Sequence, residues 1–142
     1  MFQRSTDTST LANAAISMFQ FVVEELQPVM HDTQLTPSQL SLLLFVARQA
    51  TSPTMTDIAR HMQYSTAAGT GSVDRLVKLG FLERSHATDD RRKICVCLTP
   101  KGREFLTNAQ TLCGERLASI MDNPRNPRER GIQDILLAMA SN

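Results

Sequence analysis

Apolar residues recur at steps of three and four through Leu11, Ala15, Met18, Val22, Leu26 and Val29. That period predicts a long helix over residues 10 to 31, kinked or ended near Pro28. Phe19 and Val23 add a second apolar face. A helix that is apolar on two sides packs against its own domain and against something else, so a subunit interface is expected there. Further stripes follow at helical spacing: Leu40, Leu43, Leu44 and Ala47; Phe105, Ala109, Leu112, Arg116 and Ile120; and Ile132, Ile135, Leu136 and Met139.

Helix starts are marked by a shared device. In Thr36-Pro37-Ser38-Gln39 the Thr hydroxyl caps free amides, Pro takes the first helical position and Gln reaches back. Asn126-Pro127-Arg128-Glu129 repeats that logic, and Thr99-Pro100-Lys101-Gly102 repeats its first half. Asp122-Asn123-Pro124 separates the last two helices.

The middle of the chain carries two shorter helices. Thr54, with Asp57 three residues on, starts one through Ile58, Ala59 and Met62. Gln63-Tyr64 turns the chain, Ser65 caps the second, and Val73, Leu76, Val77 and Leu79 bury it until Gly80 ends it. Two short helices joined by so tight a turn form a helix-turn-helix, whose second helix can lie in a DNA major groove. Residues 81–85 and 93–98 then read as two strands of a hairpin, with Ile94, Val96 and Leu98 facing inward. Its tip, Asp89-Asp90-Arg91-Arg92-Lys93, holds charge where a simple turn uses Gly or Asn.

Charge sharpens this picture. The net charge of +1 conceals an uneven distribution: residues 1–57 have three more acids than bases, residues 58–103 five more bases than acids, and the remainder one more acid. A basic middle segment is the electrostatic footprint of a polyanion partner, solvated surface charge being the plainer reading. At 142 residues and 42% hydrophobic content, one domain is expected. No apolar run approaches the roughly 20 residues of a membrane span, and the first ten residues lack a secretory apolar region, so no membrane contact and a cytoplasmic location are expected. No phosphate loop and no nucleophile, base and orienting group recur at usable spacing, so neither an enzyme nor a cofactor is expected.

With these elements in order, the chain resembles the multiple antibiotic resistance regulator (MarR) family of winged-helix transcription factors. The family's wing pattern is present as Asp90, Arg92, Leu98, Thr99 and Gly102, preceded by the lead-in VDRLVKLGFLER at residues 73–84. The resemblance implies a mainly α fold with a small β-wing. It also implies a single domain over 1–142, with residues 10–31 and 101–142 as dimerisation helices and residues 36–100 as the winged helix-turn-helix DNA-binding lobe. A homodimer would read a pseudo-palindromic site on double-stranded DNA, with half-sites about one helical turn apart.

By that resemblance Arg92 enters the minor groove and Asp90 holds its side chain. Guanidinium suits the narrow groove because the potential there is strongly negative and Arg is weakly hydrated. An incidental surface ion pair, worth about 0–1 kcal/mol, is the alternative. Arg91 and Lys93 are assigned to phosphates or solvent. In the second helix of the motif Ser65, Thr66, Ala67, Ala68, Thr70 and Gly71 are the DNA-binding candidates, and near Gly71 this chain lacks the long polar or basic residue that family members often carry. Direct base reading is therefore limited to hydroxyls, methyl groups and close backbone approach, and specificity is expected to lean on the wing and DNA shape. Close packing against another helix is the structural explanation of the same small residues. Arg75 is a phosphate candidate or an internal partner of a carboxylate such as Asp57, and Ser38 is a second phosphate candidate.

Two further expectations concern switches. His31 and Met30 lie near the cleft where family members bind small aromatic or phenolic ligands, with walls from Met18, Val22, Phe45 and Leu112; each of these also has a place in a core. Cys95, Cys97 and Cys113 are candidates for redox sensing. With the hairpin turning near residues 89 and 90, Arg84 would lie opposite Cys95 and lower its pKa. Small, partly buried residues are the plainer reading of all three, and Cys-x-Cys with scattered histidines is too sparse for a metal site. The function expected is a ligand-responsive repressor. The alternatives are a cysteine-based redox regulator of the same fold and a winged-helix protein-interaction module that no longer binds DNA.

Overall fold

A computed structural model describes residues 8–63 and 66–141, the side chain of Thr66 excepted; the expected cap at Ser65 and the turn residue Tyr64 lie outside the described residues. Six helices and two strands follow in the order α1 (Thr8–Thr33), α2 (Pro37–Arg48), α3 (Met55–Met62), α4 (Thr66–Lys78), β1 (Leu82–His86), β2 (Ile94–Leu98), α5 (Pro100–Asp122) and α6 (Pro127–Ala140). The chain divides into two compact units, one of the residues up to Pro28 and from Gln110 on, the other of Val29–Ala109.

The predicted caps set the helix starts. Thr36 and Gln39 form a reciprocal capping box, and so do Thr54 and Asp57. Each satisfies amides that would otherwise be orphaned, and losing such a cap costs about 1 kcal/mol. Thr99 Oγ1 accepts the Gly102 amide at 3.0 Å. At α6 only half of the expected device forms: Asn126 accepts the Glu129 amide, but the Glu129 carboxylate accepts from the Arg125 amide instead. α1 continues through Pro28 to Thr33 and does not end there.

In the first unit Phe21, Ile120 and Ile132 are buried together, with Met18, Leu117 and Leu136 packed on them. Glu129, also buried, accepts bonds from Arg116 and Arg125, while Arg116 reaches Glu25 at 3.2 Å. A carboxylate at this depth requires such partners. The Arg125 amide is the main cause that holds the Glu129 pKa down at about 2, against the opposing effect of burial.

In the second unit Leu42, Leu43, Ile58, Val73, Leu76 and Val96 are almost wholly excluded from solvent. The hairpin root is fixed tightly: Phe81 stacks tilted on Phe105 at 5.2 Å, and Thr99 Oγ1 donates to the Gly80 carbonyl at 2.5 Å. Gly80 has φ +80°, a conformation that closes α4 and favours glycine. The strands are antiparallel with Leu82 opposite Leu98 and His86 opposite Ile94. Val96 also donates to the Pro53 carbonyl, and Thr54 bridges Cys95, so the loop before α3 lies along β2 at an isolated bridge.

This register corrects two expectations. Ile94 shares the face of Val96 and Leu98 but is 42% exposed at the tip end of β2, where it pairs with His86, whereas Val96 and Leu98 are buried. Cys95 faces Ser85 and not Arg84, because the turn is centred on Asp90, with Ala87 opposite Lys93, which shifts each pairing by one residue from that of a turn centred between 89 and 90. Such a one-residue slip reassigns every cross-strand pair.

Candidate nucleic-acid interface

At the tip of the hairpin Asp90 Oδ1 accepts the Arg92 amide at 3.0 Å and stands 3.5 Å from its Nε. One carboxylate thus closes the turn and sits beside the guanidinium. The Arg92 side chain remains 94% exposed beside this carboxylate. Lys93 lies 3.7 Å from Asp89 across the same tip, and Arg91 is exposed. An acid next to each of two bases lowers the net charge of the tip, yet leaves cationic groups pointing outward from it. A purely electrostatic tip would omit both acids, so the arrangement favours geometry over charge.

On α4, Ala67, Ala68 and Gly71 are exposed and Thr70 is half-buried. A β-carbon on Gly69 would meet Ala59 at 3.7 Å, an ordinary contact, while one on Gly71 would meet open space. Close helix packing therefore requires glycine at neither position. No long side chain projects from 67–71, in keeping with the limited base-reading capacity expected of this helix.

Arg75 does not meet Asp57. Its Nη2 donates to Gln34 Oε1 at 3.1 Å, whereas Asp57 is committed to the Thr54 cap and stands 3.8 Å from Arg60. The Thr54 amide and hydroxyl hold the Asp57 pKa below its usual range. Ser38 lies half-buried in the first turn of α2. One pairing escaped sequence reasoning: Arg84 on β1 donates to Asp74 on α4 at 2.5 Å. Ten residues separate these two along the chain, and no helix or strand period links them; they meet only when β1 folds back past α4.

The ligand candidates are distributed over both units. In the first, Met18 packs on the Phe21 cluster, Val22 is exposed and Leu112 is half-buried. In the second, Met30 is buried, the His31 side chain is 89% exposed, and Phe45 stacks on His61 with ring centroids 3.9 Å apart. Phe45, His61, Leu44 and Arg48 line a cavity of about 330 Å³.

The three cysteines are free. Cys95 is buried on β2, while Cys97 donates to Glu83 Oε1 at 3.5 Å. Burial foremost, with the Glu83 carboxylate, pushes the Cys97 thiol pKa up; burial foremost, with Glu25, does the same to Cys113. Such surroundings favour inert thiols over reactive thiolates. Among the described residues no group of three or more His, Cys, Asp or Glu is placed to hold a metal ion, and no helix is long and apolar enough to cross a membrane.

Residues 33–93, the span from the end of α1 to the wing tip, match the sequence model of the MarR family. Over 86 residues the chain is 33% identical to the HTH-type transcriptional repressor YetL of Bacillus subtilis, an alignment spanning 60% of this chain and 50% of that protein. The chain spans about half the length of the curated relatives it matches. Similarity of fold extends further. The transcriptional regulator Tm0710 of Thermotoga maritima superposes with a TM-score of 0.76 at 21% identity, covering 95% of this chain and 94% of that one. The transcriptional repressor CouR, solved bound to a 23-mer DNA duplex, does so with a TM-score of 0.61 at 26% identity, covering 93% and 89%. The wing motif, the order of elements and these likenesses agree: the chain has a mainly α, winged helix-turn-helix fold, and its residues 33–93 are similar to the MarR family.

Proposed function

We propose that the protein is a transcriptional regulator that binds double-stranded DNA as a homodimer and represses by occupying a pseudo-palindromic operator. The observation that carries this reading is the wing tip, where Asp90 fixes the backbone and the direction of Arg92 while its guanidinium stays in solvent. A guanidinium held out in this way suits a narrow minor groove. The basic surplus over residues 58–103 supports a polyanion partner. A DNA duplex on the similar CouR and the name repressor on the 33% identical YetL support the same partner and direction of control.

Exposed apolar side chains support self-association. Leu11, Ile16 and Phe19 on α1, with Leu137 and Met139 on α6, are between 48% and 70% exposed. Apolar groups at such density on two helices of one unit are suited to a second copy. For effector response, the aromatic wall of Phe45 and His61 shares its cavity with Arg48, a pairing suited to a small aromatic or phenolic acid.

The test is affinity for a random-sequence 30-base-pair duplex as salt is raised, with molecular mass measured in parallel by sedimentation. A dimer contacting six to ten phosphates loses about 10³- to 10⁵-fold in affinity between 50 and 200 mM salt. A monomer, or a chain that leaves the duplex unbound at low salt, contradicts the proposal.

A further inference from the structure

The hairpin is held to the helical lobe at three levels. Its root is fixed by Thr99 on the Gly80 carbonyl and by Lys101 Nζ on the Leu79 carbonyl at 2.7 Å. Halfway out, β2 is hydrogen-bonded to the loop before α3 through Val96 and Pro53. On the other strand Arg84, opposite Val96, donates to Asp74 on α4 at 2.5 Å. The last of these ties joins the wing to the helix expected to enter the major groove.

We propose that the Asp74–Arg84 pair is a positioning device that sets the angle of the wing relative to α4, and so the place at which Arg92 meets DNA. The proposal rests on the DNA-binding reading above. Asp90 stands six residues beyond Arg84, roughly 20 Å along an extended strand. A pivot of about 10° about the hairpin root, farther back still, moves the tip by at least roughly 3 Å, half the roughly 6 Å width of a minor groove. A charge-assisted bond at mid-strand resists that pivot more directly than ties at the root, where the same rotation strains them least. The Asp74 side chain is 49% exposed and the Arg84 side chain 32%. As a contribution to stability alone, a pair so exposed is worth little. Its neighbour Arg75 is tied to Gln34, so consecutive residues of α4 are fastened to the wing and to the turn after α1.

The substitution Asp74→Asn gives this proposal a sign. Removing an acid from a DNA-facing lobe strengthens binding if only charge matters. A positioning role predicts the reverse, a loss of roughly three- to thirty-fold, the range of a coupling between linked elements.

The probe is a 30-base-pair duplex selected by the wild-type protein from a random pool, and binding is read by fluorescence anisotropy. Four proteins are compared: wild type, Asp74→Asn, Arg92→Ala and the double variant, each with its Tm. The expected result is weaker binding by Asp74→Asn with Tm within a few degrees of wild type, and almost no further loss when it is added to Arg92→Ala. The reciprocal exchange, Asp74→Arg with Arg84→Asp, is expected to restore part of the lost affinity. Unchanged or tighter binding by Asp74→Asn, or a full additional loss in the Arg92→Ala background, overturns the positioning role. If selection yields no bound duplex, or Arg92→Ala binds as wild type does, the wing-based DNA-binding reading fails first and takes this proposal with it.

Discussion

Gly102 lies directly against the backbone of Phe81: a β-carbon at Gly102 would stand 2.2 Å from the Phe81 carbonyl oxygen. That oxygen also accepts the Thr99 amide, so it has a fixed place at the root of the hairpin. The glycine of the wing motif is therefore required by packing between α5 and the α4–β1 turn, not by DNA. Gly102→Ala is expected to cost about 3 kcal/mol or more, the upper range for overpacking a site whose neighbour is backbone. Urea unfolding measures it; a loss under about 1 kcal/mol contradicts the close approach.

The Glu129 carboxylate is held down at about 2 chiefly by the Arg125 amide, with Arg125 and Arg116 side chains adding to it. Its folded pKa lies below the unfolded value, so its contribution to stability is complete above the ordinary carboxylate range and is lost as pH falls from 4.5 towards about 2. Glu24, paired with Arg128, and Asp57, capping with Thr54, are shifted in the same direction. Glu129→Gln is thus expected to lower Tm at pH 7 and to make the decline of Tm below pH 4.5 shallower without abolishing it. An identical acid slope in variant and wild type contradicts the assignment.

Cys97 has its thiol pKa raised by burial and by the Glu83 carboxylate that accepts its hydrogen bond. In a Cys95→Ala, Cys113→Ala background, the pH midpoint of its alkylation by iodoacetamide is expected above the ordinary thiol value of about 8.5. Glu83→Gln should move that midpoint down. A midpoint below the ordinary value would revive Cys97 as a redox sensor.

The readability of the sequence varied with the range of the interaction. Thr36–Gln39 and Thr54–Asp57 were legible because a capping box is a spacing of three residues within one segment. Gly80 was legible for a similar local reason. The Asp90–Arg92 geometry expected from the family resemblance is present at the wing tip. Strand register was not legible, since period-two alternation says which residues share a face but not how many the tip consumes. A count off by one set Arg84 against Cys95, where Ser85 stands. Charge alone offers Arg75 a phosphate or a carboxylate such as Asp57, but Gln34, in the left-handed turn after α1, accepts its bond. The partners Asp74–Arg84 and Arg116–Glu129 were hidden for the same reason: each joins elements whose approach only the folded chain defines.

The central claim is that Arg92, directed by Asp90, carries DNA recognition at the wing while α4 offers only small side chains. The most direct measurement is the affinity of Arg92→Ala for the duplex selected by wild type, at fixed salt, with Tm recorded on the same samples. A loss of about tenfold or more, with Tm within a few degrees of wild type, is the expected result. Wild-type affinity in a folded Arg92→Ala protein contradicts it.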